Sequence, residues 1–144
     1  VGLGGFDTHS AQATALPGLQ RDISDSIAAF YAATREMGIE SAVTTFTAAD
    51  FGRTLTVNGD GTDHGWGAHH FVVGGAVKGR DIYGDIPVAE LGHSQDSGNG
   101  RLIPSVAVEQ LAAPLGRWYG LNTAEIAQAL PGLAAFPDGG LPLF

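Results

Sequence analysis

"SAVTTFTAADF", residues 41–51, decides how the chain is organised. It is rich in β-branched residues (Val43, Thr44, Thr45, Thr47) and ends on Asp50 and Phe51, the pattern of a strand that delivers polar residues at its end. Upstream, Leu16, Leu19, Ile23, Ile27, Phe30 and Met37 recur on one helical face, with Pro17 near its start and Gly38 as its stop. Further back, "VGLGGF" (1–6) is a short apolar run, broken by glycine, that leads into Asp7 and His9. Strand, helix, strand is the simplest reading, and it implies a parallel βαβ unit. The expected fold class is therefore α/β with a parallel sheet, whose ligands gather at the carboxyl ends of the strands.

Downstream, residues 52–70 read as a long, glycine-rich functional loop flanked by ordered elements. "FVVGGAV" (71–77) is a third strand candidate and "RDIYG" (80–84) a fourth, while 84–104 reads as a mobile loop. Ser105 is placed to cap a helix that turns Val108, Leu111, Leu115 and Trp118 inward, with Pro114 expected to kink or break it. Asn122 followed three residues later by Glu125 forms a capping box for another helix, closed by Pro131. The tail 132–144 reads as irregular.

At 144 residues, the chain has room for one domain. A formal charge of −8, from seven Lys+Arg against fifteen Asp+Glu, leaves no basic patch for a nucleic-acid backbone. No apolar run reaches the ~20 residues that a membrane-spanning helix needs. The absence of cysteine restricts any metal to His, Asp and Glu. Val1 opens on what reads as a strand already under way, so the expectation is a C-terminal piece of a longer chain.

Three polar clusters adjoin strand candidates: "FDTH" (6–9), "AADFGR" (48–53) and "TDHGWGAHH" (62–70). Asp and His without Cys are the ligand set of zinc, manganese, magnesium or iron. Asp7, His9, Asp50, Asp63, His64 and His69 are the candidate ligands, His69 being preferred to its neighbour His70 because adjacent residues of an extended segment face opposite ways. Asp50 alone reads equally as a turn former, and Trp66 as pocket lining or a packing anchor. An EF-hand is rejected because Gly67 stands where its bidentate glutamate belongs, and "GGAVKGR" lacks the phosphate-loop pattern.

The stretches "GGFDTH", "FTAADFGRT", "DHGWGAHHFVVGGAVKG" and "GRLIPS…LGRWYG" closely resemble the C-terminal part of a bacterial "domain of unknown function" family numbered fifteen-oh-one. That family is mostly exported by the twin-arginine route and related to alkaline phosphatases and sulfatases. The resemblance implies an alkaline-phosphatase-like parallel sheet, a divalent metal (zinc first, with manganese, magnesium or iron as alternatives) and hydrolysis of a small anionic phosphate or sulfate ester. It also implies a periplasmic or secreted location. His64 matches the superfamily's later metal ligand, and Asp7 with His9 its Asp…His pair at tighter spacing. Arg53 is the candidate catalytic residue, to counter charge on the transferred group or to brace Asp50. Phe51 stands where the superfamily has histidine, which favours an alternative reading as a catalytically degenerate structural or binding subunit. The superfamily's nucleophile lies upstream of these motifs, so the N-terminal region or a partner chain is expected to complete the site.

Overall fold

The computed structural model describes residues 1–144. It is mixed α/β: a long helix α1 (Gln12–Glu36), four short strands β1 (Thr44–Phe46), β2 (Gly52–Asn58), β3 (Gly61–Gly65) and β4 (Val72–Gly74), then helices α2 (Val108–Tyr119) and α3 (Thr123–Ala129).

The parallel sheet expected from the sequence does not form. β1 pairs antiparallel with β4, Thr44 opposite Gly74 and Phe46 opposite Val72, and β2 pairs antiparallel with β3. The reason lies between β1 and β4: the β2–β3 hairpin turns the chain back on itself, and a returning strand pairs antiparallel, without the crossover that a parallel pair requires. Residues 1–6 join no sheet, because Gly5 sits at φ 96 and interrupts the extended run. Residues 80–84 also form no strand, and Arg80 lies at φ 65.

The reading of 52–70 as a loop is corrected too. Residues 52–65 are the hairpin, closed by the pair Gly59–Asp60 with Gly59 at φ 67. A glycine-led two-residue turn after a β-branched run is a hairpin signal. Residues 84–104 do lack regular elements but are tied down: the Asp96 carboxylate accepts from the backbone N–H groups of Gly92, Gly98 and Gly100 at 2.8–2.9 Å. Leu55 of β2 then donates to Gly100 O, anchoring this loop to the hairpin edge.

α1 stops where its sequence says, Gly38 taking φ 68 and donating to Arg35 O. At α3, Asn122 Oδ1 accepts from Ala124 N and Glu125 N while Glu125 Oε2 accepts from Asn122 N, the expected capping box. Ser105 caps nothing; its hydroxyl is bonded to Asp85 backbone groups, and α2 begins after Ala107. Nor does Pro114 break α2. A proline there has no N–H to give Gln110 O, but Leu141 N donates to that carbonyl at 2.9 Å from the tail. The tail thus repairs the helix. It also fills the core, where Leu143 (1% exposed) joins Ala113 and Ile126, and Phe144 stacks on Trp118.

Only 12 of the 144 residues are buried, and the accessible surface is 9,496 Å². A folded monomer of this mass exposes roughly 7,000 Å². The apolar stripe of α1 is part of that excess: Ile23, Ile27 and Tyr31 face Phe71 and Val73 across an open groove of about 530 Å³, and Thr34 is the helix's one buried residue.

Candidate metal centre

Residues 7–9 reach the hairpin through backbone and side chain together. His9 N donates to Asp7 O, turning the segment tightly, and Thr62 N of β3 donates to Thr8 O at 3.3 Å. Gln12, in the first turn of α1, donates from one amide to both Thr8 Oγ1 (2.9 Å) and Thr62 Oγ1 (3.0 Å). The two threonines are buried, which turns their hydroxyl pairing into a positional constraint, since an unpaired hydroxyl there would be costly. The approach is tight enough that a side chain at Gly61 would collide with the backbone of Thr8 and His9.

On this platform Asp7, His9 and His64 converge. Asp7 Oδ1 lies 2.8 Å from His64 Nε2 and 2.9 Å from His9 Nε2, and the two imidazole nitrogens are 3.1 Å apart. All three side chains are about half exposed, so the cluster is open to solvent and to small solutes. Two imidazole nitrogens and one carboxylate oxygen meeting at a point fit a divalent ion by donor chemistry and by number, leaving its remaining positions for water or ligand.

Arg53, opposite His64 in the hairpin register, is held by its surroundings. Its Nε donates to Thr62 Oγ1 at 3.0 Å, its Nη2 to Thr62 O, and its Nη1 to Asp7 Oδ1 at 3.0 Å. The guanidinium thus braces Asp7, not Asp50. The hydrogen bond with His64 is the main reason the Asp7 carboxyl titrates below its ordinary value, with the Arg53 bond adding to it and partial desolvation opposing. Asp63 also titrates low, chiefly through the 2.9 Å bond from Asn58 Nδ2. Phe51 stacks on the His64 ring, centroids 3.7 Å apart and planes 10° from parallel, which restricts the tilt of that imidazole.

The other sequence candidates lie elsewhere. Asp50 and His69 are exposed and outside the cluster. His70 Nδ1 lies 3.2 Å from Thr47 Oγ1, tying β4's approach to the end of β1, and desolvation, then the neighbouring His69, lowers its pKa. Trp66 is 68% exposed and is therefore no buried packing anchor. Asp63 approaches His9 at Nδ1 (3.5 Å), the ring edge remote from the cluster. Three contributors were missed from sequence: Thr8, Gln12 and Asn58. Thr8 sits inside "FDTH", and the alternation of Thr62 with His64 along β3 was the available sign that a threonine shares the histidine's face.

No helix is long and apolar enough to cross a membrane. Nothing matches among curated proteins, and nothing among solved structures. A family model described as "Protein of unknown function (DUF1501)" matches residues 1–132. The motifs that build the cluster all fall inside that match, and the chain belongs to the DUF1501 family.

Proposed function

We propose that Asp7, His9 and His64 hold one divalent metal ion and that the chain is the metal-bearing part of a hydrolase of phosphate or sulfate esters. The observation that carries this is the convergence of three donor atoms, each within 3.1 Å of the others, from segments more than fifty residues apart. The resemblance to alkaline phosphatases and sulfatases supplies the reaction class. A bound ion would supply Lewis acidity toward an ester oxygen and acidify a water. In this chain Asp7, His9 and His64 hold that ion. Arg53 keeps the Asp7 oxygen in place, and its remaining N–H groups are available to an anionic oxygen. Zinc suits two imidazoles and a carboxylate, and manganese or iron accept the same set.

A periplasmic or secreted location follows only from the family resemblance. The surface excess of about 2,500 Å² over a monomer of this mass supports a further polypeptide surface, from the same protein or a partner chain, lying over the α1 groove.

The alternative, a degenerate structural or binding subunit, is favoured by Phe51, whose ring packs on His64 where the superfamily has a ligand. Elemental analysis and calorimetric titration with Zn²⁺ and Mn²⁺ separate the readings. We expect one ion per chain, most of it lost in Asp7→Ala and His64→Ala; unchanged stoichiometry in both variants would sink the assignment. Metal-loaded protein that turns over neither p-nitrophenyl phosphate nor p-nitrophenyl sulfate supports the degenerate reading.

A further inference from the structure

We infer that Asp63 is a positioning residue for His9: it fixes the tautomer and angle of the imidazole and does not itself ligate the ion. This rests on the metal reading above and assigns the group behind the ligand. A neutral imidazole carries one ring proton. For Nε2 to give its lone pair to an ion held between it, Asp7 and His64, 2.9 and 3.1 Å away, the proton must sit on Nδ1 and needs an acceptor. Asp63 Oδ1, 3.5 Å from Nδ1, is the carboxylate oxygen that stands at that ring edge.

Asp63 is itself held by β2 at both its carboxylate and its backbone. Asn58 Nδ2 donates to Asp63 Oδ1 at 2.9 Å, and Asp63 N donates to Thr54 Oγ1 at 3.1 Å. The Thr54 hydroxyl donates its own hydrogen bond to Thr56 O, which leaves its lone pairs to accept from Asp63 N. The order Asn58, Asp63, His9, ion is the carboxylate–histidine–metal arrangement, in which an outer carboxylate raises the basicity of the ligand and sets its ring plane. Geometry argues against direct ligation: Asp63 meets the ring at the edge opposite the donor atoms.

The experiment uses Asp63→Asn with His9→Ala as the ligand-loss control, circular dichroism confirming fold in each. Long-range ¹H–¹⁵N spectra of the zinc-loaded chain should show His9 protonated at Nδ1, with that proton shifted downfield by Asp63 in the wild type and moved back upfield in Asp63→Asn. Ligation through Nδ1 in the wild type, or an unmoved Nδ1 proton in the variant, would overturn the inference. Co²⁺ titration should show the variant binding one ion 10–100-fold more weakly, with the visible spectrum unmoved, whereas His9→Ala shifts the spectrum. A shifted spectrum in Asp63→Asn would make Asp63 a ligand and overturn the positioning role. A wild type that takes up no Co²⁺ would sink the metal reading and the positioning role with it, whereas ion uptake with an unmoved Nδ1 proton in Asp63→Asn would sink the positioning role alone.

Discussion

Gly61→Ala tests whether the cluster depends on the seating of residues 7–9 against the hairpin. Gly61 does not occupy a left-handed conformation, so alanine is allowed there by its backbone and any penalty is steric. Its Cβ would stand 2.3 Å from His9 C, 2.4 Å from His9 O and 2.5 Å from Thr8 O. Carbon contacts begin at about 3.5 Å, and all three obstacles are main-chain atoms that no rotamer change removes. Residues 8 and 9 must therefore retreat by roughly 1 Å, carrying His9 away from His64 and stretching the Thr62–Thr8 backbone bond. Two ligands on one ion with bonds of ~2.1 Å lie about 3.0–3.4 Å apart at right-angle or tetrahedral geometry. A His9–His64 separation near 4 Å overshoots both. We expect metal affinity at least tenfold weaker. Overpacking costs about 1–3 kcal/mol and the strained hydrogen bond about 1 more, so Tm should fall by roughly 7–13 °C. Gly18→Ala is the control: nothing lies within 4 Å of its Cβ, and in the second turn of α1 it should stabilise by about 0.5–1 kcal/mol without touching the site. Calorimetric titration and thermal melts read both quantities. Wild-type affinity together with a Tm within 1 °C of wild type in Gly61→Ala would refute the reasoning.

Asp7 should titrate below the ordinary carboxylate value by carbon-detected NMR, and His64→Ala should raise it more than Arg53→Ala does, following the order of causes. Since its folded pKa is depressed, the stability it contributes is present above the unfolded value and is lost as pH falls through the lowered one. Acid denaturation curves of wild type and Asp7→Asn should accordingly converge only below the ordinary carboxylate range. Leu143→Ala empties a side chain that is 1% exposed and should cost about 2–4 kcal/mol in chemical denaturation. Asn122→Ala removes both caps on α3 and should cost about 1 kcal/mol, with the loss read as faster amide exchange at Ala124 and Glu125.

What the sequence disclosed depended on how local the cause was. The α3 cap is written within four residues, and α1 within its own periodicity, so both were legible. The hairpin was written equally locally, in the Gly59–Asp60 turn that follows Thr54, Thr56 and Val57, but the surrounding glycines made it read as a loop. Strand direction was not local: three residues at 44–46 pair either way, and their orientation was set by a hairpin that had first to be recognised. At the cluster, Asp7, His9 and His64 were nameable from residue type and from the resemblance. Their assembly rests on Thr8, Gln12 and Thr62, neutral side chains that carry no chemical signature until their burial is seen. Arg53 was legible as a cation near the site, but its partner was not: Asp50, three residues away, looked nearer than Asp7, forty-six residues back.

The bond from Leu141 to the carbonyl that Pro114 leaves open bears on how this region is built in time and in descent. During synthesis, α2 emerges with one rung of its ladder vacant, and the rung is supplied only when residues translated after α3 fold back. The helix and the tail therefore mature as one cooperative unit, and the Leu141 amide should exchange with solvent at the rate of the α2 interior. Across descendants of this sequence, proline at 114 and a donating residue at 141 form a linked pair: a second proline at 141 would orphan the carbonyl, whereas any other residue at 114 would set two donors competing for it.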